Sequence, residues 1–335
     1  MFRTFTLSEV HDIALDLLKN VDKILREEKI WYTLTYGSVL GAIRHNGFVP
    51  WDGDVDMYVY YKDLDRVVAV LREKLPEKYY IDYFDINSKY SHFFPRISLT
   101  GYDSKNFHID LFYLVGLPND KKEQVKFFKQ TQFYINLLNA KKRDYNTKYL
   151  QNIYSKFYKR AIFKFFLKHF MPEEKIKAKY KELCLKYPIE DAKYVNFPIE
   201  PDFRKSIIDK SYFENERICD FEDITLSIPE KSEEFMTFHY GDYKQYPSLK
   251  GRNLGFNSIV EGIPLDRKRV LFTYNEEKTF EENVFDIINL KNYDNLVFCL
   301  VPKKYKPFIQ QLRCVDDVIE KDRYSQEELF KIYEF

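Results

Sequence analysis

The sequence has few cysteines, no long hydrophobic run and no excess of charge of one sign. Its four cysteines are scattered over 335 residues without a Cys-x-x-Cys pair, a spacing that argues against a disulfide framework or a structural zinc site. No stretch approaches the roughly 20 apolar residues that a membrane-spanning helix needs, and the N-terminus lacks the layout of a signal peptide. We therefore expect reduced cysteines and a cytoplasmic protein.

The charge balance excludes a second class of function. Lysine and arginine number 53 against 52 aspartates and glutamates, so we expect no wrapping of nucleic acid. One local excess stands out, with 13 basic and 4 acidic residues between Lys141 and Glu182. Within it, the aromatic stretch from Tyr154 to Phe170 predicts either a core face with solvated lysines opposite, or peripheral contact with an anionic inner leaflet.

The first 120 residues have the pattern of an α+β catalytic core. Apolar residues at three- and four-residue steps predict a long amphipathic helix, and runs of β-formers predict strands on either side of shorter helices. The predicted elements are a helix over Leu7–Glu28, a strand at Trp31–Gly37, a short helix from Ser38, a strand over Asp54–Tyr60, a helix over Leu64–Leu75 and three β-like runs up to Leu117.

Three further segments follow this predicted core. Residues 121–190 are helical, basic and aromatic, and residues 191–257 mix loops with short strands. Residues 262–335 alternate strands and helices, which predicts a small parallel βαβαβα domain. The first strand of that domain is not followed by a glycine-rich turn or a His-x-Gly-His motif, so we expect a structural or docking role rather than nucleotide binding.

Three aspartates at alternate positions form the most informative motif. In an extended chain Asp54 and Asp56 point to the same side, and Asp52 precedes them by one step. Like charges side by side are costly unless a cation lies between them, and carboxylate oxygens suit Mg²⁺ or Mn²⁺. Asp110 adds a carboxylate inside an apolar strand, which makes a shared metal site the simplest interpretation. The alternative is that the aspartates only cap turns around Gly53.

Residues before the acidic motif are candidates for phosphate binding. Gly37 and Ser38 lie between a predicted strand and a predicted helix, where backbone amides and the helix N-terminus hold phosphate oxygens well. Arg44 and Arg96 are candidate phosphate clamps, because a guanidinium makes paired hydrogen bonds to such oxygens. For each arginine a structural salt bridge is an equal alternative.

At these residues the sequence resembles a known family. The stretch YTLTYGSVLGAIRHNGFVPWDGDVDMYV (residues 32–59) is similar to the signature of the LicD family, which includes phosphocholine transferases and relatives of the fukutin-type transferases. FHIDLFYL (107–114) and YGDYKQYP (240–247) resemble two later segments of the family. The resemblance implies a polymerase β-like nucleotidyltransferase core, here with a helical insertion, and Asp54, Asp56 and Asp110 as metal ligands beside Asp52.

The resemblance also implies a reaction. A phospho-substituent such as phosphocholine or a polyol phosphate would move from a CDP-linked donor to a glycan hydroxyl, in some cases on a lipid-linked precursor, with release of CMP. Ser38 would hold the donor phosphate, and Asp110 would help to deprotonate the acceptor. Two alternatives stay open, a nucleotidyltransferase that uses an NTP and a non-catalytic glycan-binding scaffold. The spacing of His45, His92 and His108 gives little support to a zinc site.

Overall fold

The structure is a computed structural model that describes residues 7–87, 90, 92–102, 107–142, 171–247, 268–290, 295–312 and 315–333. The helices in these residues are α1 (Leu7–Glu27), α2 (Tyr36–His45), α3 (Leu64–Lys74), α4 (Lys121–Lys142), α5 (Glu173–Cys184), α6 (Phe203–Ser206), α7 (Ser232–Tyr240), α8 (Phe280–Leu290), α9 (Lys306–Ile309) and α10 (Gln326–Tyr333).

The strands in the same residues form three sheets. They are β1 (Tyr32–Leu34), β2 (Val55–Tyr60), β3 (Tyr79–Asp82), β4 (Arg96–Leu99), β5 (His108–Leu117), β6 (Tyr194–Asn196), β7 (Ile207–Asp209), β8 (Glu216–Phe221), β9 (Ile224–Pro229), β10 (Lys268–Thr273), β11 (Asn295–Val301) and β12 (Asp317–Glu320). The mixture of helices and a mixed sheet is therefore confirmed, and the polymerase β-like assignment stays a prediction.

The main sheet is organised around the long central strand β5. Its strand order is β1-β2-β5-β4-β3, and β6 and β7 extend it from the far end of β5. Strand β2 runs parallel to β5, whereas the other pairings in this sheet are antiparallel. The parallel pair places the beginnings of β2 and β5 side by side, and both strands carry aspartates there.

Helix α1 covers the main sheet, as its periodicity predicts. Its buried positions Val10, Ala14, Leu17, Leu18 and Val21 follow three- and four-residue steps and form one apolar face. That face packs on β5 and α3, because an amphipathic helix gains its stability by burying such a stripe. The predicted helix over Leu7–Glu28 is confirmed to within one residue.

Parts of the sequence prediction lie outside the described residues. These include the basic aromatic stretch from Tyr154 to Phe170, the predicted boundary near Gly262 and Cys314. Helices α4 and α5, which flank the first of these, pack against each other. None of the helices in the described part of the chain is both long enough and apolar enough to cross a bilayer.

Residues 268–333, here named the C-terminal unit, build a second sheet. Strands β10, β11 and β12 are all parallel, as the alternation of strands and helices predicts. Alternate residues of β11 face two apolar clusters: Val297 and Cys299 pack with Ile287, while Leu296 packs with Leu329. The predicted role of this unit as a separate domain stays a prediction. The three cysteines in the described residues, Cys184, Cys219 and Cys299, form no disulfide bond with one another.

Candidate active site

Strand register brings the predicted acidic residues of two separate segments together. Asp56 in β2 pairs directly with Asp110 in β5. Neighbouring strands lie about 4.8 Å apart, so side chains that share a face of adjacent strands are neighbours. The flanking residues Val55 and Met57 are buried in the core, which leaves Asp56 on the opposite face. The two segments thus meet, as a shared site for Asp56 and Asp110 requires.

The carboxylates of the acidic motif repel one another. The pKa of Asp56 lies well above its ordinary value, first because the side chain is desolvated and then because Asp54, Asp110 and Asp52 add negative charge. Burial and the charge of Asp54 likewise raise the pKa of Asp52 well above the ordinary value. Such an arrangement costs stability in the absence of a cation, so it requires a reason other than folding.

His108 stands beside this cluster and is a residue that sequence reasoning assigned no role. Its Nε2 lies 3.6 Å from Asp54 Oδ2 and 3.9 Å from Asp110 Oδ2. Desolvation opposes the ionisation of Asp54, but His108, a hydrogen bond with Asp52 and the charge of Arg96 together outweigh it, and the pKa of Asp54 falls below its ordinary value. The signal in the sequence was the two-residue step from His108 to Asp110, which places both on one side of β5.

Asp110 is held by Arg96 from the neighbouring strand β4. Arg96 donates from Nε to Oδ1 over 2.5 Å and from Nη2 to Oδ2 over 2.8 Å. Both side chains are nearly inaccessible to solvent, at 9% and 7% exposure. Of the two alternatives for Arg96, this contact is the structural salt bridge. A direct contact between Arg96 and phosphate stays a prediction.

The predicted phosphate-binding residues lie against the acidic motif. Thr35, just before α2, donates its backbone N–H to the carbonyl oxygen of Asp56 over 2.9 Å, and Ser38 Oγ accepts the N–H of Asp56 over 2.9 Å. A Cβ atom at Gly37 would overlap a carboxylate oxygen of Asp52. The glycine therefore lets the start of α2 approach the carboxylates closely.

Arg44 connects α2 with the segment at residues 240–247. Its Nη1 donates to the carbonyl oxygen of Tyr243 over 2.9 Å, and its guanidinium lies over the rings of Tyr246 and Trp51 at 4.6 and 5.6 Å. Burial lowers the pKa of Arg44 below its ordinary value. Within the described residues the buried Nη2 atom has no hydrogen-bond partner, so one donor is left for another group.

Tyr240 is a second site residue that sequence reasoning missed. It ends α7, and the turn that follows uses Gly241 at a φ of 69°, where a side chain would be strained. Desolvation is the main reason that the pKa of Tyr240 lies above its ordinary value, and the negative charges of Asp56, Asp52 and Asp54 add to it. The signal was the YGDYKQYP segment, whose role the sequence alone did not assign.

The carboxylates of this site are of the kind that bind magnesium, but the described side chains do not form a complete metal-binding site by themselves. Within the described ranges, no group of three or more His, Cys, Asp or Glu side chains is arranged to hold a metal ion. Mg²⁺ commonly takes one or two carboxylates and completes its shell with water and substrate phosphate. Asp54 and Asp56 would supply those carboxylates, and a bound cation would offset the negative charge that adds to the effect of burial on the pKa of Asp56.

A known protein family matches the part of the chain that carries the acidic motif and Asp110. Residues 29–145 match a family model described as "LicD/FKTN/FKRP, nucleotidyltransferase domain". This range holds the Gly37–Ser38 turn, the acidic motif and Asp110. Residues 29–145 are a LicD family domain. The resemblance inferred from the residue motifs is confirmed.

Three similar proteins differ in how much of this chain they cover. The lipopolysaccharide cholinephosphotransferase LicD of Haemophilus influenzae is 29% identical over 257 residues, which is 73% of this chain and 94% of the relative. An uncharacterised protein of Rickettsia typhi is 32% identical over 62 residues, 18% of this chain and 20% of its own. One from Rickettsia prowazekii is 33% identical over 55 residues, 16% of this chain and 21% of its own.

Proposed function

We propose that this protein is a phosphotransferase that moves phosphocholine, or a polyol phosphate, from a CDP-linked donor to a hydroxyl of a cell-surface glycan or its lipid-linked precursor. The observation that supports this most is the parallel pairing of β2 with β5, which opposes Asp56 to Asp110 inside a LicD domain. The similarity to a cholinephosphotransferase over 94% of that relative supports the choice of transferred group. The reaction would take place in the cytoplasm.

In this proposal the start of α2 and the acidic motif bind the donor together. The Ser38 hydroxyl accepts the N–H of Asp56, so its own proton points elsewhere and is available to a phosphate oxygen. The unpaired Nη2 of Arg44 supplies a second, charged donor. Asp54 and Asp56 would hold Mg²⁺ or Mn²⁺, which supplies positive charge against the two phosphates of the donor.

The transfer itself makes one bond and breaks one. The acceptor oxygen attacks the phosphorus that carries choline or the polyol, and the bond from that phosphorus to the bridging oxygen breaks, so CMP leaves with that oxygen. The hydroxyl proton passes to a carboxylate of the cluster, and we assign this step to Asp110. The Arg96 pair fixes the direction of that carboxylate, and positioning of this kind supplies much of the rate in phosphoryl transfer.

A donor panel tests the proposal. The purified protein is incubated with Mg²⁺ and, separately, CDP-choline, CDP-ribitol, CDP-glycerol or CTP, and the release of CMP or pyrophosphate is followed. We expect CMP from one CDP-linked donor, slowly without acceptor and faster with one. Pyrophosphate from CTP would indicate the nucleotidyltransferase alternative instead, and no turnover of any donor with any glycan would leave only the binding scaffold.

A further inference from the structure

The loop that carries two of the site aspartates makes its contacts with distant parts of the chain. We name residues 46–54, between α2 and β2, the acidic loop. It includes Asp52 and Asp54, and its first residue, Asn46, has a left-handed backbone with a φ of 50°. A loop of this length has many accessible conformations, so a defined position for its carboxylates requires outside contacts.

One set of contacts comes from a charged pair. Arg323, which follows β12, donates to both carboxylate oxygens of Glu222 at 2.6 and 2.8 Å. Glu222, in the turn between β8 and β9, accepts the backbone N–H of Phe48 over 3.1 Å and donates its own N–H to the carbonyl oxygen of Asn46 over 2.7 Å. A Cβ atom at Gly47 would overlap both side chains of the pair. The pair therefore lies directly on the acidic loop.

A second set of contacts is apolar and reaches the residue next to Asp52. Trp51 packs against the cluster formed by β11, β12 and α10 of the C-terminal unit, which includes Leu296, Phe298 and Leu329. Trp51, the residue immediately before Asp52, therefore packs against the C-terminal unit. A change in the position of that unit would move the backbone of Asp52 directly.

Helix α1 completes the connection. The ring of His11 stacks on Phe48 with centroids 4.4 Å apart, and its Nε2 lies 2.5 Å from the carbonyl oxygen of Asp52. The next residue of α1, Asp12, accepts a hydrogen bond of 3.0 Å from Gln310 just after α9. The acidic loop is thus held between α1, the turn at Glu222 and the C-terminal unit.

From these contacts we propose that Arg323 is a positioning residue for the transfer reaction, and that through it the C-terminal unit holds the acidic loop in the geometry that the site requires. This inference rests on the proposed function for its effect on turnover. Its structural part does not, because the position of the loop can be measured without substrate.

The expected consequence of losing Arg323 is a change in kcat more than in KM. Glu222 would keep its backbone contacts but lose the partner that fixes its carboxylate, so Phe48 and the residues up to Asp54 would gain freedom. Small displacements of reacting groups reduce the rate steeply. We expect Arg323→Gln to lower kcat for CMP release by roughly tenfold, with KM for the donor changed less than kcat.

Tryptophan fluorescence gives a direct readout of the loop. The chain has two tryptophans, so a Trp31→Phe background leaves Trp51 as the sole reporter. In that background Arg323→Gln should shift the emission of Trp51 to longer wavelength and increase its quenching by acrylamide. The matched control is Lys321→Gln, which removes a cation two residues away whose partner, Glu276, also lies in the C-terminal unit. It should leave Trp51 and kcat unchanged.

Further measurements separate positioning from general destabilisation. Far-UV circular dichroism checks that each variant is folded at the assay temperature, and Arg323→Lys, which keeps the charge but only one donor direction, should recover part of kcat and part of the Trp51 signal. If Arg323→Gln leaves Trp51 like the Lys321→Gln control, or if KM changes as much as kcat, the positioning proposal is overturned. If Trp51 responds while the unmodified protein releases no CMP, the proposed function fails and the structural part stands.

Discussion

Two of the parallel strand pairs in the described residues, β11 with β12 and β2 with β5, place their aspartates in opposite environments. Where β11 adjoins β12, Asp316 accepts the backbone N–H of Val297 over 2.7 Å and Asp317 accepts that of Val318 over 2.8 Å. Where β2 adjoins β5, burial raises the pKa of Asp56 most, and the neighbouring carboxylates of Asp54, Asp110 and Asp52 raise it further.

Hydrogen bonds to amides stabilise a carboxylate, and neighbouring carboxylates do not. The first pair of aspartates can therefore be explained by folding alone. The second cannot, and a group that costs stability without a structural benefit is a candidate for function.

The largest expected effect tests this contrast through activity. Asp54→Asn and Asp56→Asn should each lower kcat for CMP release by at least about a hundredfold, since each removes a carboxylate that would hold the cation opposite the donor phosphates. Asp316→Ala, by contrast, should cost about 1–3 kcal/mol of stability by leaving the N–H of Val297 without its acceptor. Its kcat should stay within about twofold at a temperature where it is folded. Steady-state kinetics and urea unfolding measure the two quantities.

The opposite result would contradict the proposed difference between Asp316 and the site aspartates. If Asp316→Ala abolished turnover while the Asp54→Asn and Asp56→Asn variants kept it, the opposed carboxylates would be structural and the site assignment would be wrong. Asp65→Asn, a change at an exposed carboxylate on α3 with an ion-pair partner at 3.6 Å, serves as the control for the loss of one surface charge.

The next effect concerns the ion pair that holds Asp110. Arg96→Met should lower the free energy of unfolding by about 3–5 kcal/mol, because it leaves a buried carboxylate without its partner. Arg217→Met breaks a pair whose side chains are 40% and 52% exposed, and it should cost less than about 1 kcal/mol. Chemical denaturation of both variants measures the difference.

A double variant sharpens the same prediction. Arg96→Met combined with Asp110→Leu removes both charges, so it should recover part of the stability lost by Arg96→Met alone. The double variant should release no CMP, because it lacks the carboxylate of Asp110. Recovery of stability together with activity would show that Asp110 has no role in the reaction.

The smallest effect is a dependence of stability on pH. Because the folded state raises the pKa of Asp56 above its ordinary value of 3.8, the unfolded chain loses this proton more easily than the folded protein. Ionisation at neutral pH therefore destabilises the fold, and this cost disappears as the pH falls towards 3.8. In metal-free protein Asp56→Asn should raise the melting temperature near neutral pH, by an amount that shrinks on acidification.

Thermal unfolding followed by circular dichroism over a pH series tests this sign. A lower stability of Asp56→Asn than of the parent at neutral pH would contradict this prediction. Asp56 would then be stabilised by hydrogen bonds, as Asp316 is.

Local patterns account for what the sequence predicted of the fold and the site. The steps of three and four along α1 and the alternation around Asp54 and Asp56 are visible within short windows. The resemblance of residues 32–59 then connected them with a family. In each case the information lies within about 30 consecutive residues, and the structure agrees on the elements and on the meeting of Asp56 with Asp110.

The contacts that sequence reasoning missed or left open join residues of different strands or sheets. Arg96 has two equal interpretations until β4 is placed beside β5, and His108 gains a role only when Asp54 is found 3.6 Å away. The pair of Arg323 with Glu222 spans 101 positions. No periodicity encodes such a pair, because it depends on how two separately formed sheets pack.

The turn at Glu222 has a consequence for protein engineering. Glu222 adopts a φ of 55°, a backbone conformation that costs a residue with a side chain about 1 kcal/mol and that glycine adopts freely. Glycine would suit this backbone better, yet it would remove the oxygens shared by Arg323 and Phe48. Variant libraries selected for heat resistance and libraries selected for turnover should therefore diverge at position 222.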